Sequence, residues 1–148
     1  MRRKTSDLTA YQQAMGLLVR REHSRRELKQ KLRQWGKEAD EIDTALESLS
    51  RQDFQNDARF SMALARSRQA AGYGPVRIRA ELAQHNLGAE VIAETMACLP
   101  EDWLETAQSL VARRYLRKIQ SDPAQSRKAV DFLLRRGFEQ KTAYSAVK

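Results

Sequence analysis

The sequence predicts an all-α protein of three tandem three-helix repeats, about nine helices stacked into an elongated or curved body. Three observations lead there. Charged residues make up 31% and aromatics 7%, with six glycines and three prolines, which favours helices with modest cores over a β-sandwich or an α/β enzyme. Apolar residues recur at helical spacing along the chain, and no strand pattern of useful length interrupts them. A shift of about 50 residues lays one segment on the next, the signature of an internal repeat. The hydrophobic fraction of 41% is enough for folding.

The first repeat is expected over 8–55. Its opening helix, from about Leu8 to Arg21, presents Leu8, Tyr11, Met15 and Leu18 on one face. Ser24 with Glu27 three residues on reads as a capping box for the second helix. Leu28, Leu32 and Trp35 continue that helix, and Gly36 suits the left-handed closing position. The third helix, about Ala39 to Ser50, turns Ile42, Ala45, Leu46 and Leu49 inward and Glu38, Asp40, Glu41, Asp43 and Glu47 outward.

The second repeat, expected over 56–99, opens with Asp57 as cap and Phe60, Leu64 and Ser67 on the inner face. Gly72-Tyr73-Gly74-Pro75 follows. Two glycines suit a tight turn, and proline suits the first position of a helix. Val76 or Ile78, then Leu82, give that helix its apolar side. Ile92, Thr95, Met96 and Leu99 mark the third helix. In the repeat register Leu28 falls on Ile78, Leu32 on Leu82 and Ser24 on Gly74. Ile42 falls on Ile92, Leu46 on Met96 and Leu49 on Leu99.

The third repeat, expected over 100–148, begins with a long helix from Pro100 to Lys118, burying Trp103 or Leu104, Ala107, Leu110, Val111 and Tyr115. Ser121-Asp122-Pro123 restarts the chain as cap and first-turn proline. Ala129, Phe132 and Leu133 face inward on the second helix, Gly137 ends it, and 139–147 form a short last helix.

A net charge of +8 and a pI near 10.0 attract polyanions or acidic protein surfaces. The positive charge is placed regularly. Between Arg20 and Lys37, eight basic residues face two acids, a net of +6, and the same balance holds between Arg113 and Arg136. No acid separates Arg66, Arg68, Arg77 and Arg79. Arg25, Lys29 and Arg33 lie four apart, one stripe on a helix. Together with Arg26, Arg113, Arg114, Arg127, Lys128 and Arg135, these residues are the candidate contacts for a phosphate backbone or an acidic groove. The helices offer arginine and lysine rather than the asparagine and glutamine that read base edges, which argues against a sequence-specific reader.

Other chemistries find little support. His23 and His85 stand far apart without a second ligand nearby, so no metal or other cofactor is expected. Ser24 reads as a cap rather than a nucleophile, because no base is placed to activate it. Gly-Tyr-Gly is too short for a nucleotide-binding loop and lacks the following Gly-Lys. Trp35 and Trp103 fit apolar stripes, Tyr73 is expected in an exposed turn, and Phe138 closes the helix that Gly137 ends. Cys98, the one cysteine, forms no internal disulfide and is read as a small core residue. The basic start Met1-Arg2-Arg3-Lys4 has no apolar run after it, so a cytoplasmic protein without a membrane segment is expected.

These residues resemble the RecX family, bacterial regulators of the RecA recombinase. The likeness rests on Arg20-Arg21-Glu22-His23-Ser24-Arg25-Arg26-Glu27-Leu28 with Lys31-Leu32, and continues with Asp57-Ala58-Arg59-Phe60 and Arg66-Ser67-Arg68. Gly72-Tyr73-Gly74-Pro75 through Ile78-Arg79 and Glu81-Leu82 complete it. Asp53 stands where the family often has glycine, Asn56 replaces the first of two aspartates, and His85-Asn86 replaces a Lys-Gly pair. Asn86 can still take the left-handed geometry of a helix end. The resemblance implies three stacked repeats and no enzymatic activity. It also implies binding in the groove of the RecA–single-stranded-DNA filament, so that extension, ATP hydrolysis, strand exchange and co-protease activity are hindered. The expected partners are that filament and single-stranded DNA, with double-stranded DNA as a further candidate, and the expected state is a monomer. DNA repair, homologous recombination and the SOS response would be the setting. The competing reading is a non-specific nucleic-acid-binding protein without a recombinase partner.

Overall fold

The computed structural model describes residues 7–148; the basic stretch Met1-Arg2-Arg3-Lys4 lies outside the described residues. Among them are nine α-helices and no strand. In chain order they are α1 (Ala10–Arg20), α2 (Arg25–Gln34), α3 (Ala39–Arg51), α4 (Asp57–Ala70), α5 (Pro75–Ala83), α6 (Ala89–Cys98), α7 (Trp103–Ser121), α8 (Gln125–Arg135) and α9 (Gln140–Val147). The chain forms two compact units. One holds the residues through Ala63 together with His85–Leu87; the other holds Leu64–Gln84 and Gly88–Lys148.

In the first unit, α1, α2 and α3 close around Ala10, Ala14, Leu28, Leu32, Ile42, Ala45, Leu46 and Leu49. Each fully buried leucine or isoleucine contributes about 1.5–3 kcal/mol before the entropy of ordering is counted. Helix α1 differs from its expected face. Leu8 precedes the helix and is exposed, and the small residues Ala10 and Ala14 form the buried line, with Tyr11, Met15 and Leu18 packed at its edge. Thr9 caps this helix in a full capping box with Gln12, a pairing the apolar pattern did not indicate.

Helix α2 has only half of its expected box. Ser24 Oγ accepts from the Glu27 N–H at 3.1 Å, but the Glu27 carboxylate is held by Arg21 instead of returning to the cap. The free N–H of Arg25 goes to Asp57 Oδ1 at 2.9 Å, so Asp57 supports the start of α2 rather than capping its own helix. Asn56 caps α4, accepting from the Arg59 N–H at 3.0 Å. Along α4 the inward residues are Phe60, Ser61, Leu64 and Ala65; Ser67 is exposed.

Left-handed residues end the helices where the sequence allows it. Gly36, Asn86 and Gly137 close α2, α5 and α8 with φ of +85°, +57° and +92°. Gly137 completes a Schellman motif: its N–H bonds to Leu134 and the Phe138 N–H reaches back to Leu133, while the Phe138 ring is buried beside Leu133. Asp53, at φ +60°, ends α3 in the same way.

In the second unit, α7, α8 and α9 pack around Ala107, Leu110, Val111, Tyr115, Ala129, Val130, Phe132, Leu133, Phe138, Ala143 and Ala146. Ile78 and Leu82 are the buried side of α5, and Val76 is exposed. On α6, Thr95 and Leu99 are buried, whereas Cys98 is exposed. At 100° per residue Cys98 lies about 100° from the centre of the Ile92–Leu99 stripe, too far round to reach the core. Asp122 accepts from the Ala124 N–H at 3.0 Å and shapes the turn through Pro123, and α8 starts two residues after that proline.

Candidate nucleic-acid interface

Hydrogen bonds at the starts of α2 and α5 position the basic residues around them. In the first unit, the α2 cap Ser24 Oγ lies 2.7 Å from His85 Nδ1 in a hydrogen bond, and Arg26 donates to Asn86 Oδ1 at 2.8 Å. The His85 ring rests against Phe60, centroids 4.6 Å apart. In the second unit, the α5 cap Gly74 donates its N–H to the Arg136 carbonyl at 2.8 Å, and Val76 donates to the Gly137 carbonyl at 2.9 Å. In the second unit the cap of α5 therefore sits on the C-terminal end of α8. Backbone meets backbone there. A Cβ on Gly74 would collide with the Gly137 carbonyl group and the Phe138 nitrogen, and one on Gly137 with Arg77.

Tyr73, expected in an exposed turn, is half-buried. Its ring carries the Arg77 guanidinium 4.1 Å and the Arg136 guanidinium 4.5 Å from its centroid. Arg136 also lies 5.6 Å from the Phe132 ring centroid, and its buried Nε has no hydrogen-bond partner. Ring faces offer that cation an electrostatic substitute. Arg77 and Arg68 share one counter-ion, Glu81, at 3.3 Å and 2.7 Å. Arg79 is exposed on the far side of Ile78, about 200° from Arg77 around the helix, so the two arginines do not share a face.

The stripe on α2 meets an acidic counterpart. Arg25 and Lys29, four apart, run alongside Glu47 and Asp43, four apart on α3 in the opposite sense, with both pairs at 3.7 Å. Exposed pairs of this kind contribute at most about 1 kcal/mol to stability, but they place a carboxylate beside each cation. Arg33 is exposed and makes no ion pair among the described residues. Nearby, Arg59 binds Glu22 and Asp53, and hydrogen bonding to Glu22 raises its already high pKa.

Helices α7 and α8 look different. Arg113, Arg127, Lys128 and Arg135 are exposed and form no ion pair among the described residues, as is also true of Arg66 on α4. Arg114 lies over the Phe132 ring at 4.7 Å. On α8 the buried residues Ala129, Val130, Phe132 and Leu133 define one side, and Arg127, Lys128 and Arg135 project from the other with Asp131. The charge count revealed these cations, but the role of Arg136, and the neutralising Glu81, Asp43 and Glu47, did not come from it. The four-residue spacing of Arg77 with Glu81 was the available signal for one of them.

Buried histidine completes the first unit. His23 donates from Nδ1 to the Arg21 carbonyl at 3.0 Å, and burial lowers its pKa, partly offset by that bond. Burial pushes the Glu27 carboxyl up, but the Arg21 guanidinium outweighs this and holds it below its ordinary value. No group of three or more His, Cys, Asp or Glu among the described residues could hold a metal ion, and no described helix is long and apolar enough to cross a membrane.

Family models of the first, second and third three-helix domains of RecX match residues 10–49, 56–96 and 100–147, in that order. The chain belongs to the RecX family. It is 44% identical over 146 residues to the regulatory protein RecX of Xanthomonas oryzae pv. oryzae, covering 99% of this chain and 91% of that one. The regulatory protein RecX of Stenotrophomonas maltophilia is 46% identical over 138 residues, covering 93% and 85%. The crystal structure of RecX from Lactobacillus salivarius superimposes with a TM-score of 0.79 at 20% identity, covering 93% of this chain and 92% of that one, a likeness of fold.

Proposed function

We propose that the chain is a non-enzymatic negative regulator of the RecA recombinase. It sits in the groove of the RecA–single-stranded-DNA filament as a monomer of three repeats, 8–55, 56–99 and 100–148. There it hinders filament extension, ATP hydrolysis, strand exchange and co-protease activity. The setting would be recombination, DNA repair and the SOS response in the cytoplasm. The observation that carries the reading is the ordered match of all three RecX domains, joined to near full-length relatives that bear the name regulatory protein RecX. Exposed cations on α4, α5, α7 and α8 supply the charge such a groove requires.

The test is RecA-driven ATP hydrolysis on single-stranded DNA with the chain titrated in. Inhibition at low stoichiometry is expected, and electron microscopy should show the groove occupied. An unchanged rate at saturating protein would refute the proposal. The high pI and the exposed cations of α8 favour one competing reading, a nucleic-acid-binding protein without a recombinase partner. Equal affinity for bare single strands and for a preformed filament would favour that alternative.

A further inference from the structure

The basic regions of the two units have the same net charge in sequence but different surroundings. On α2, Arg25 and Lys29 lie 3.7 Å from the α3 carboxylates, and Arg26 is committed to Asn86. A phosphate approaching Arg25 or Lys29 therefore also approaches the carboxylate beside it, and both acids are well exposed. Repulsion then offsets most of the attraction. On α8, Arg127, Lys128 and Arg135 occupy the side opposite the buried residues, with no ion pair among the described residues. One acid, Asp131, shares that side, and Asp122 and Glu139 flank the ends of the helix. At 1.5 Å rise per residue the three cations span about 12 Å along the axis, the reach of two to three phosphates on an extended strand.

We propose that the outward face of α8 holds the phosphodiester backbone through Arg127, Lys128 and Arg135, and that the ion-paired Arg25 and Lys29 of α2 do not bind phosphate. The inference rests on the proposed function for its partner but is separable from it. The contacts are charge-based and carry no base preference.

The experiment is a salt titration of binding to a single-stranded homopolymer, and in parallel to a duplex of the same length, by fluorescence anisotropy. The chain is compared with the triple variant Arg127→Glu, Lys128→Glu, Arg135→Glu and the double variant Arg25→Gln, Lys29→Gln. Three lost phosphate contacts should reduce the log–log salt slope by about 2 on the single strand, or about 3 if the duplex is the ligand. The double variant should keep its slope. A triple variant with an undiminished slope on both polymers, or a double variant that loses as much, overturns the proposal. If the charge reversal does not fold by circular dichroism, the Arg127→Gln, Lys128→Gln, Arg135→Gln variant gives the same reading. A chain that inhibits RecA yet binds no bare DNA sinks this inference and leaves the recombinase reading standing. Binding through α8 without any effect on RecA supports this inference and removes the recombinase.

Discussion

Replacing Gly74 by alanine adds one methyl group at the point where α5 rests on the end of α8. The new Cβ would overlap the carbonyl carbon and oxygen of Gly137 and the nitrogen of Phe138. These are backbone atoms, held by the bonds from Phe138 N–H to Leu133 and from Gly137 N–H to Leu134, so no side chain can rotate away. Overpacking of this sort costs about 1–3 kcal/mol. Relief by separation would stretch the Gly74–Arg136 and Val76–Gly137 hydrogen bonds, each worth about 1 kcal/mol. The expected loss is about 3 kcal/mol, a fall in Tm of roughly 10 °C followed by circular dichroism. Gly16→Ala is the matched control. Nothing lies within 4 Å of a Cβ there, and the position is inside α1, so it should stabilise by about 1 kcal/mol. If both variants melt like the parent, the close backbone approach is not a determinant of stability and the joint argument fails.

At Asn86, with φ +57°, alanine should cost about 1 kcal/mol while glycine stays within about 0.5 kcal/mol of the parent in urea melts. Cys98 should react stoichiometrically with a thiol reagent in the native state, because it is exposed; protection until unfolding would contradict its placement. Stability should decline as pH falls below about 6.5, because buried His23 binds its proton less readily folded than unfolded. The Glu27 contribution, whose folded pKa is depressed, should persist through that range and be lost below about 4.5. Tm measured from pH 7.5 to 5.5 in the parent and in His23→Gln checks the histidine step, which the variant should lack.

Leu28, Leu32, Ile42, Leu46, Leu49, Ile78 and Leu82 were legible because large aliphatic residues at helical spacing have no other economical placement, and all are buried. Ala10 and Ala14 were not. Alanine contributes little to an apolar pattern, so periodicity alone points to the larger neighbours Leu8 and Tyr11. Helix ends were legible where geometry demands a residue type, as at Gly36, Asn86 and Gly137. Caps were less so, since Asn56 and Asp57 both qualify by type and tertiary contact alone gives Asp57 to Arg25. The candidate interface was legible as charge but not as available charge. The pairings of Arg25 and Lys29 on α3, and of Arg68 with Glu81, depend on which helices lie side by side, and a count along the chain does not contain that.

The contacts of the two caps also explain why Gly72-Tyr73-Gly74-Pro75 occurs once although the helix start it belongs to recurs. Ser24 stands at the Gly74 position in the repeat register, and its contacts are made by side chains, the Ser24–His85 and Arg26–Asn86 bonds. A cap with a side chain is then an asset, since Ser24 Oγ serves both His85 and the Glu27 N–H. At Gly74 the backbones touch, so a side chain is excluded and the hydrogen bonds must come from the peptide itself. The missing side-chain cap is compensated by Pro75, which removes one orphan N–H at the first turn, and by the Val76 N–H, which is satisfied across the joint by Gly137. Serine at Gly74 would therefore destabilise this joint even though it is the better cap. Glycine at Ser24 would lose both the bond to His85 and the acceptor for the Glu27 N–H. The glycine motif follows from the closeness of one joint, and the arginines around it are held in place by Tyr73 and Glu81.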